Sequence, residues 1–259
     1  MGRINQSFCY PCFLRGGVTL EALIREAAAT GYAAVELWAR EKAPFEEIVA
    51  LADKYGLAVA SMGGHNSLTD GLNKRENHDR IEQEILASID LAVQHKIPGL
   101  ICFSGNRNGL DDERGAEIVA EGLDRVKKVA EEKGVNLNIE LLNSKVNHPD
   151  YQCDHTAWGE KVCEMVDSPR VKLLYDIYHM QIMEGDLIRT IRDNIQHIRH
   201  FHTAGNPDRK DLDEDQEIYY PAVMRAIAET GYNLYVAHEF TPKGDPIEAL
   251  KTAFKLCDV

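Results

Sequence analysis

Short β-rich runs alternate with long amphipathic segments eight times along this chain, and that alternation limits the fold more than any other feature. The β-rich runs fall at 4–9, 33–37, 57–62, 99–104, 135–140, 171–176, 197–202 and 234–239. Helical periodicity fills the intervals at 19–30, 44–55, 74–95, 111–133, 154–166, 186–194, 221–229 and 246–256. Gly31, Gly56 and Gly134 stand where a helix end needs a residue tolerant of positive φ. Eight units in 259 residues average about 32 residues each, the size of one strand–helix unit in a closed barrel. The fold expected is therefore α/β, a single (β/α)8 barrel spanning 1–259, since no linker, low-complexity tract or composition break divides the chain. An open doubly wound sheet would call for a phosphate-binding G-x-G-x-x-G after the first strand, and none is present.

Charge narrows the partners. The formal net charge is −13, and no basic cluster is longer than a short pair such as Arg209-Lys210, so a phosphate-neutralising face is not expected. The sequence thus argues against nucleic acid and anionic membranes as partners, while a homo-oligomer remains compatible with it. No apolar run reaches the roughly 18 residues of a spanning helix, and Met1 to Gln6 lacks the apolar core of a secretory leader, so a cytoplasmic location is the default expectation. Six cysteines in a chain this long do not make a disulfide framework. Cys9-Tyr10-Pro11-Cys12 spells C-x-x-C, but no second C-x-x-C completes a zinc site and no thioredoxin-like setting follows. It reads as an incidental pair of reduced thiols near a strand end.

The informative residues sit where the strands end. In a barrel of this kind the chemistry lies at the C-terminal rim of the strands. Four successive units close on a metal-ligand residue type: Glu140, Asp176, His202 and Glu239. Parity supports convergence, because side chains alternate between the barrel interior and the helices. Glu140 shares a face with Asn136 and Asn138; Asp176 lies opposite Val171, Leu173 and Tyr175; Glu239 lies opposite Leu234, Val236 and His238. One carboxylate at a strand end is commonly a helix cap or a solvated loop residue. Three converging carboxylates would repel one another, and a divalent cation removes that cost. The mixed oxygen and imidazole set suits Mn²⁺, Mg²⁺, Co²⁺ or Zn²⁺.

Three segments carry a resemblance: Ile139-Glu140-Leu141-Leu142-Asn143, Tyr175-Asp176-Ile177-Tyr178-His179-Met180-Gln181 and His238-Glu239-Phe240. Together they resemble the hydroxypyruvate isomerase family, which belongs with the ketose 3-epimerases among the xylose isomerase-like barrels. The resemblance covers nearly the whole chain, and its most specific part is D-x-Y-H-M-Q. It implies that Glu140, Asp176, His202 and Glu239 hold one divalent metal ion and that Glu140 and Glu239 also move protons. It further implies substrate contacts from His179 and from Arg209, in the loop after strand seven. One position departs: hydroxypyruvate isomerases often carry Gln where this chain has His202, whereas the ketose 3-epimerases carry His.

Other candidates are read from the residues alone. Glu36, at the end of strand two, and His65, after Gly63-Gly64, are candidate substrate contacts at the rim. Trp38 packs under a loop or walls the site. His200 is an interior, hydrogen-bonded histidine one layer below His202. His78, His95 and His155 fall in helical stretches and are expected at the surface. Lys145 and His148 lie in the long loop after strand five, where a lid or substrate hook is possible.

The chemistry expected of two glutamates beside a cation is proton transfer next to a carbonyl. The cation stabilises the enediolate while one glutamate takes the proton and the other, or the same one, returns it. Return to the neighbouring carbon isomerises; return to the opposite face epimerises. The partner expected is a small sugar or hydroxy-keto acid of about three to six carbons, since only Trp38 and Phe103 look placed to stack on a sugar. A polyol dehydratase, a DNA-repair endonuclease and a non-catalytic sugar-binding barrel are the competing readings of the same architecture.

Overall fold

In the computed structural model, which describes residues 4–38 and 44–259, eight parallel strands close into a barrel. They are β1 (Asn5–Cys9), β2 (Ala34–Glu36), β3 (Ala58–Gly63), β4 (Gly99–Cys102), β5 (Asn136–Glu140), β6 (Val171–Asp176), β7 (Ile198–Thr203) and β8 (Tyr235–His238). Each strand pairs with its sequence neighbours, and β8 returns to β1 through pairs such as Ser7 with Ala237. Every strand named from periodicity is present, with ends shifted by a residue or two. Strand seven starts at Ile198 because His197 closes a 3₁₀ turn, Ile195–His197, ahead of it.

The outer layer holds the eight expected helices: α2 (Leu20–Thr30), α3 (Phe45–Tyr55), α4 (His78–Gln94), α5 (Asp112–Lys133), α6 (Thr156–Val166), α8 (Leu187–Asn194), α9 (Tyr220–Glu229) and α10 (Pro246–Cys257). Two short helices, α1 (Tyr10–Phe13) and α7 (Ile177–Met183), follow β1 and β6 directly and went unrecognised by periodicity because they are too short to show one. Local chemistry marks the ends. Thr19 and Asp111 accept hydrogen bonds from Ala22 N and Arg114 N in the first turns of α2 and α5. Gly31 and Gly134 end the same helices at φ of 115° and 74°, where a Cβ would be strained.

Parallel strands covered on both faces bury their outward side chains against helices and their inward ones in the barrel. Leu173 of β6 lies so close to α6 that a Cβ on Gly159 would come within 2.7 Å of its Cδ2. One expectation fails here. His78 is not a surface residue: it is buried, its Nε2 bonded to Leu72 O at 2.8 Å, because it opens α4 on the helix face turned toward the core. His95 is half-buried with its ring edge against Phe45, and His155 is exposed. No helix among the described residues is long and apolar enough to cross a membrane. All six cysteines are free, buried thiols, Cys9 and Cys12 included.

His238, pointing outward from β8, illustrates what the packing costs in acid. Its ring bonds Thr203 Oγ1 at 2.7 Å and Gln6 Oε1 at 2.9 Å, and burial pushes its pKa down to about 3. The unfolded chain therefore binds a proton at this histidine that the folded one refuses, between the unfolded pKa of about 6.5 and the folded value. That contribution to stability is complete above the unfolded pKa and is lost as the pH falls. Denaturant titrations from pH 6 to 4.5 should show stability falling more steeply in the wild type than in His238→Gln, by about 1.4 kcal/mol per pH unit. Equal slopes would mean that His238 is protonated in the folded state.

Candidate metal centre

Four of the strand-end residues meet at the C-terminal mouth of the barrel. Glu140 and Asp176 end β5 and β6, His202 is the penultimate residue of β7, and Glu239 follows β8. Each offers one ligand atom, and those four atoms lie within 4.8 Å of one another with all four residues buried. Nδ1 of His202 is 2.9 Å from Glu239 Oε2, 3.3 Å from Glu140 Oε1 and 3.9 Å from Asp176 Oδ2. It is buried without a well-formed hydrogen bond.

Each side chain is held by its own strand end. Tyr151 donates its hydroxyl proton to Glu140 O at 3.0 Å and accepts from Ser104 N at 3.1 Å, bracing the end of β5. Asp176 divides its carboxylate between two tasks. Oδ1 caps α7 by accepting from His179 N at 3.0 Å, which leaves Oδ2 directed at the other ligands. This is the local reason that Asp and His stand three apart in the chain: the cap that starts α7 also fixes where His179 emerges.

His179 is fully buried. Asn143 Nδ2 lies 2.6 Å from its Nδ1, and its Nε2 lies 3.7 Å from Asp176 Oδ2. Arg209 reaches in from the loop after β7. Its Nη2 is 3.1 Å from Asp176 Oδ2 and also pairs with Glu239 Oε2, while Nη1 lies against His179 Nε2. The guanidinium stacks over the Tyr178 ring at 5.3 Å. His179 and Arg209, expected to contact substrate, thus lie beside the cluster of Glu140, Asp176, His202 and Glu239.

Glu36 does not stand at the opening. It is completely buried, with Oε1 accepting from Cys9 Sγ at 2.7 Å and His202 Nε2 at 2.8 Å, and Oε2 bonded to His200 Nε2. The expectation of a substrate contact fails because both oxygens are taken up by the protein beneath the ligands. His200 is the interior histidine expected. His65 is buried behind Phe103: its Nε2 accepts from Phe103 N at 2.9 Å, and its Nδ1 has no partner. Trp38, two residues past β2, is 44% exposed, and residues 39–43 after it lie outside the described residues. Lys145 pins the loop after β5 through bonds to Ile182 O and Met183 O at the end of α7, and His148 lies edge-on to His179, 5.3 Å between ring centres. Asn143 was not singled out from sequence, although it stands three residues after Glu140 in a quoted motif; its role appears only when α7 is folded against the loop.

The electrostatics reflect crowding. Burial, with Glu239 and Asp176 nearby, raises Glu140 to about 7 despite the opposing pull of His202. Burial likewise raises Asp176, against Arg209. Burial opposes the charge on Glu239, but Arg209 and His202 bring its pKa down to about 2. Burial also opposes charge on His202, yet Glu36 and Glu239 hold its pKa well above the usual range. Burial, then the charges of Arg209 and neighbouring histidines, hold His179 neutral.

These residues fit a divalent cation. The donor set is three carboxylates and one imidazole, and the imidazole nitrogen facing the carboxylates lacks any other satisfactory partner. Cys9, Glu36 and His202 also lie within ligand distance of one another, but there the hydrogen bonds to Glu36 already account for the approach. A further group, Glu160, Glu164 and His197, lies away from the mouth on α6 and the turn before β7.

Residues 24–257 match the xylose isomerase-like TIM barrel family, and the chain belongs to that family. A Danio rerio relative, provisionally named hydroxypyruvate isomerase, is 27% identical over 85% of this chain and 84% of its own. A 2-oxo-tetronate isomerase of Haemophilus influenzae is 27% identical over 86% of this chain and 88% of its own. Among solved structures, D-psicose 3-epimerase of Clostridium cellulolyticum H10 superposes with a TM-score of 0.81 at 19% identity, covering 98% of each chain. An AP endonuclease of Brucella melitensis superposes with a TM-score of 0.84 at 23% identity, covering 96% of this chain and 97% of its own. At those identities the structures establish the shared fold.

Cation binding should release protons, since Glu140 and His202 both have raised pKa values and must give up protons to act as ligands. Calorimetric titration with Mn²⁺ at pH 7 in buffers of different ionisation enthalpy should report about one to two protons released per ion. Affinity should rise with pH through about 7. A buffer-independent enthalpy would show that the ligands are already deprotonated.

Proposed function

We propose that this protein is a divalent-cation-dependent isomerase that moves a proton between neighbouring carbons of a small hydroxy-keto acid or sugar. The observation that carries the reading is the convergence of Glu140, Asp176, Glu239 and the unpartnered Nδ1 of His202 at the barrel mouth. The names of the relatives, hydroxypyruvate isomerase and 2-oxo-tetronate isomerase, support a short 2-oxo acid as the substrate class.

A bound divalent cation supplies charge stabilisation for the enediolate oxygens, worth several kcal/mol. The chain's own groups supply the rest. Glu140 and Glu239 come from strands three apart in the barrel, so they approach a substrate from different walls. One takes the proton next to the carbonyl and the other, protonated, gives its own proton to the neighbouring carbon, while the hydroxyl proton passes to the former carbonyl oxygen. His179, kept neutral, offers its ring to a substrate oxygen. Arg209 matches a carboxylate or hydroxyl on the same substrate.

His202 gives some weight to epimerisation, the outcome when the proton returns to the opposite face of the same carbon. Turnover of hydroxypyruvate, four-carbon 2-oxo acids and free ketoses in D₂O, followed by NMR, separates the outcomes. Deuterium next to the carbonyl with an aldose or aldehyde formed is the expected result; an inverted centre identifies an epimerase. Loss of water from the substrate overturns the reading in favour of a dehydratase.

Glu239→Gln should retain the fold but lose about 10²–10⁴-fold in kcat, because an amide cannot carry the proton. A near-normal kcat would leave Glu239 as a ligand alone.

A further inference from the structure

Below the ligand cluster lies a buried carboxylate that the proposed chemistry leaves unused. Glu36 ends β2, and β7, which carries His200 and His202, stands across the barrel interior from it. No Lys or Arg pairs with Glu36 among the described residues. A fully buried carboxylate without such a partner is costly unless hydrogen bonds satisfy it, and three side chains do so here. Oε1 takes the Cys9 thiol and His202 Nε2, and Oε2 takes His200 Nε2.

The consequence lies in His202. An imidazole has two nitrogens, and the one that is not protonated is the one that can bind a cation. Oε1 accepts the Nε2 proton at 2.8 Å, which leaves Nδ1 as the nitrogen that faces Glu239, Glu140 and Asp176 and can exchange its proton for a cation. We propose that Glu36 is a positioning residue that selects the tautomer and ring orientation of His202, so that Nδ1 is the atom presented to the cation. His200 and Cys9 hold the carboxylate in turn, keeping Oε1 under His202. The negative charge of Glu36 also makes His202 a stronger donor ligand, the arrangement of a carboxylate behind a metal-bound histidine. This rests on the cation-dependent reading above.

A double-mutant cycle with Co²⁺ as the probe, read by competition against a fluorescent chelator, separates positioning from a purely structural role. Glu36→Gln should weaken Co²⁺ binding about 10–100-fold in the wild-type background. In the His202→Gln background, where there is no ring to orient, the same substitution should change affinity by less than about threefold. Equal losses in both backgrounds, or none in the first, overturn the proposal. A second measurement needs no variant: long-range ¹H–¹⁵N NMR of the Zn²⁺-loaded wild type should show His202 protonated at Nε2 and ligating through Nδ1. The opposite tautomer overturns the proposal even if Glu36→Gln does not fold. Failure of the wild type to bind Co²⁺ or Zn²⁺ at all would instead sink the proposed function, and would be recognised separately because it needs no variant.

Discussion

Burying Glu140, Asp176 and Glu239 at one end of a barrel is the constraint that organises the rest of this molecule. Two like charges about 4 Å apart at an effective dielectric of about 20 repel by about 4 kcal/mol, and burial adds a desolvation cost for each. Positive charge has to be supplied, and the fold brings it from several directions. Arg209 enters from the loop after β7 and lies against Asp176 and Glu239. His202 lies among all three carboxylates. A divalent cation concentrates more charge in less space than either, and the same four residues suit it.

The layers around that cluster then follow a single logic of support. Backbone bonds through Tyr151 steady the end of β5, and the α7 cap fixes Asp176 together with His179. Asn143 ties the loop after β5 to the His179 ring, and Lys145 fastens that loop to the far end of α7. The positioning groups therefore come from rigid strand ends and from one short helix tied down at both ends. That is the stiffness a proton-transfer site needs if reacting atoms are to stay within hydrogen-bond reach. Glu36 extends the support below the rim, across the barrel and about a strand layer deep.

Parity along a strand and the position of a residue at its end are local properties, which is why they could be read in advance. The run Val135-Asn136-Leu137-Asn138-Ile139-Glu140 announces an inward carboxylate at a rim whether or not its partners are known. The eightfold alternation announces the barrel for the same reason, because each unit repeats one hydrophobic pattern. His78 shows the limit of such reading: helical position does not say which face of α4 meets the core. The helices α1 and α7 show another, since four and seven residues carry too little periodicity to detect.

The sequence by itself thus determined the barrel, the strand ends and the residue types that gather there, because each is encoded within a few neighbouring positions. What only the tertiary structure decided is who touches whom across the barrel. Glu36 and His202 are 166 positions apart, and nothing in the local pattern of either distinguishes a rim contact with substrate from a bond to a buried imidazole. The same holds for Asn143 and His179, 36 positions apart, and for Arg209 and its two carboxylates. Closure of the sheet sets these distances, and with them which nitrogen of His202 is presented at the mouth.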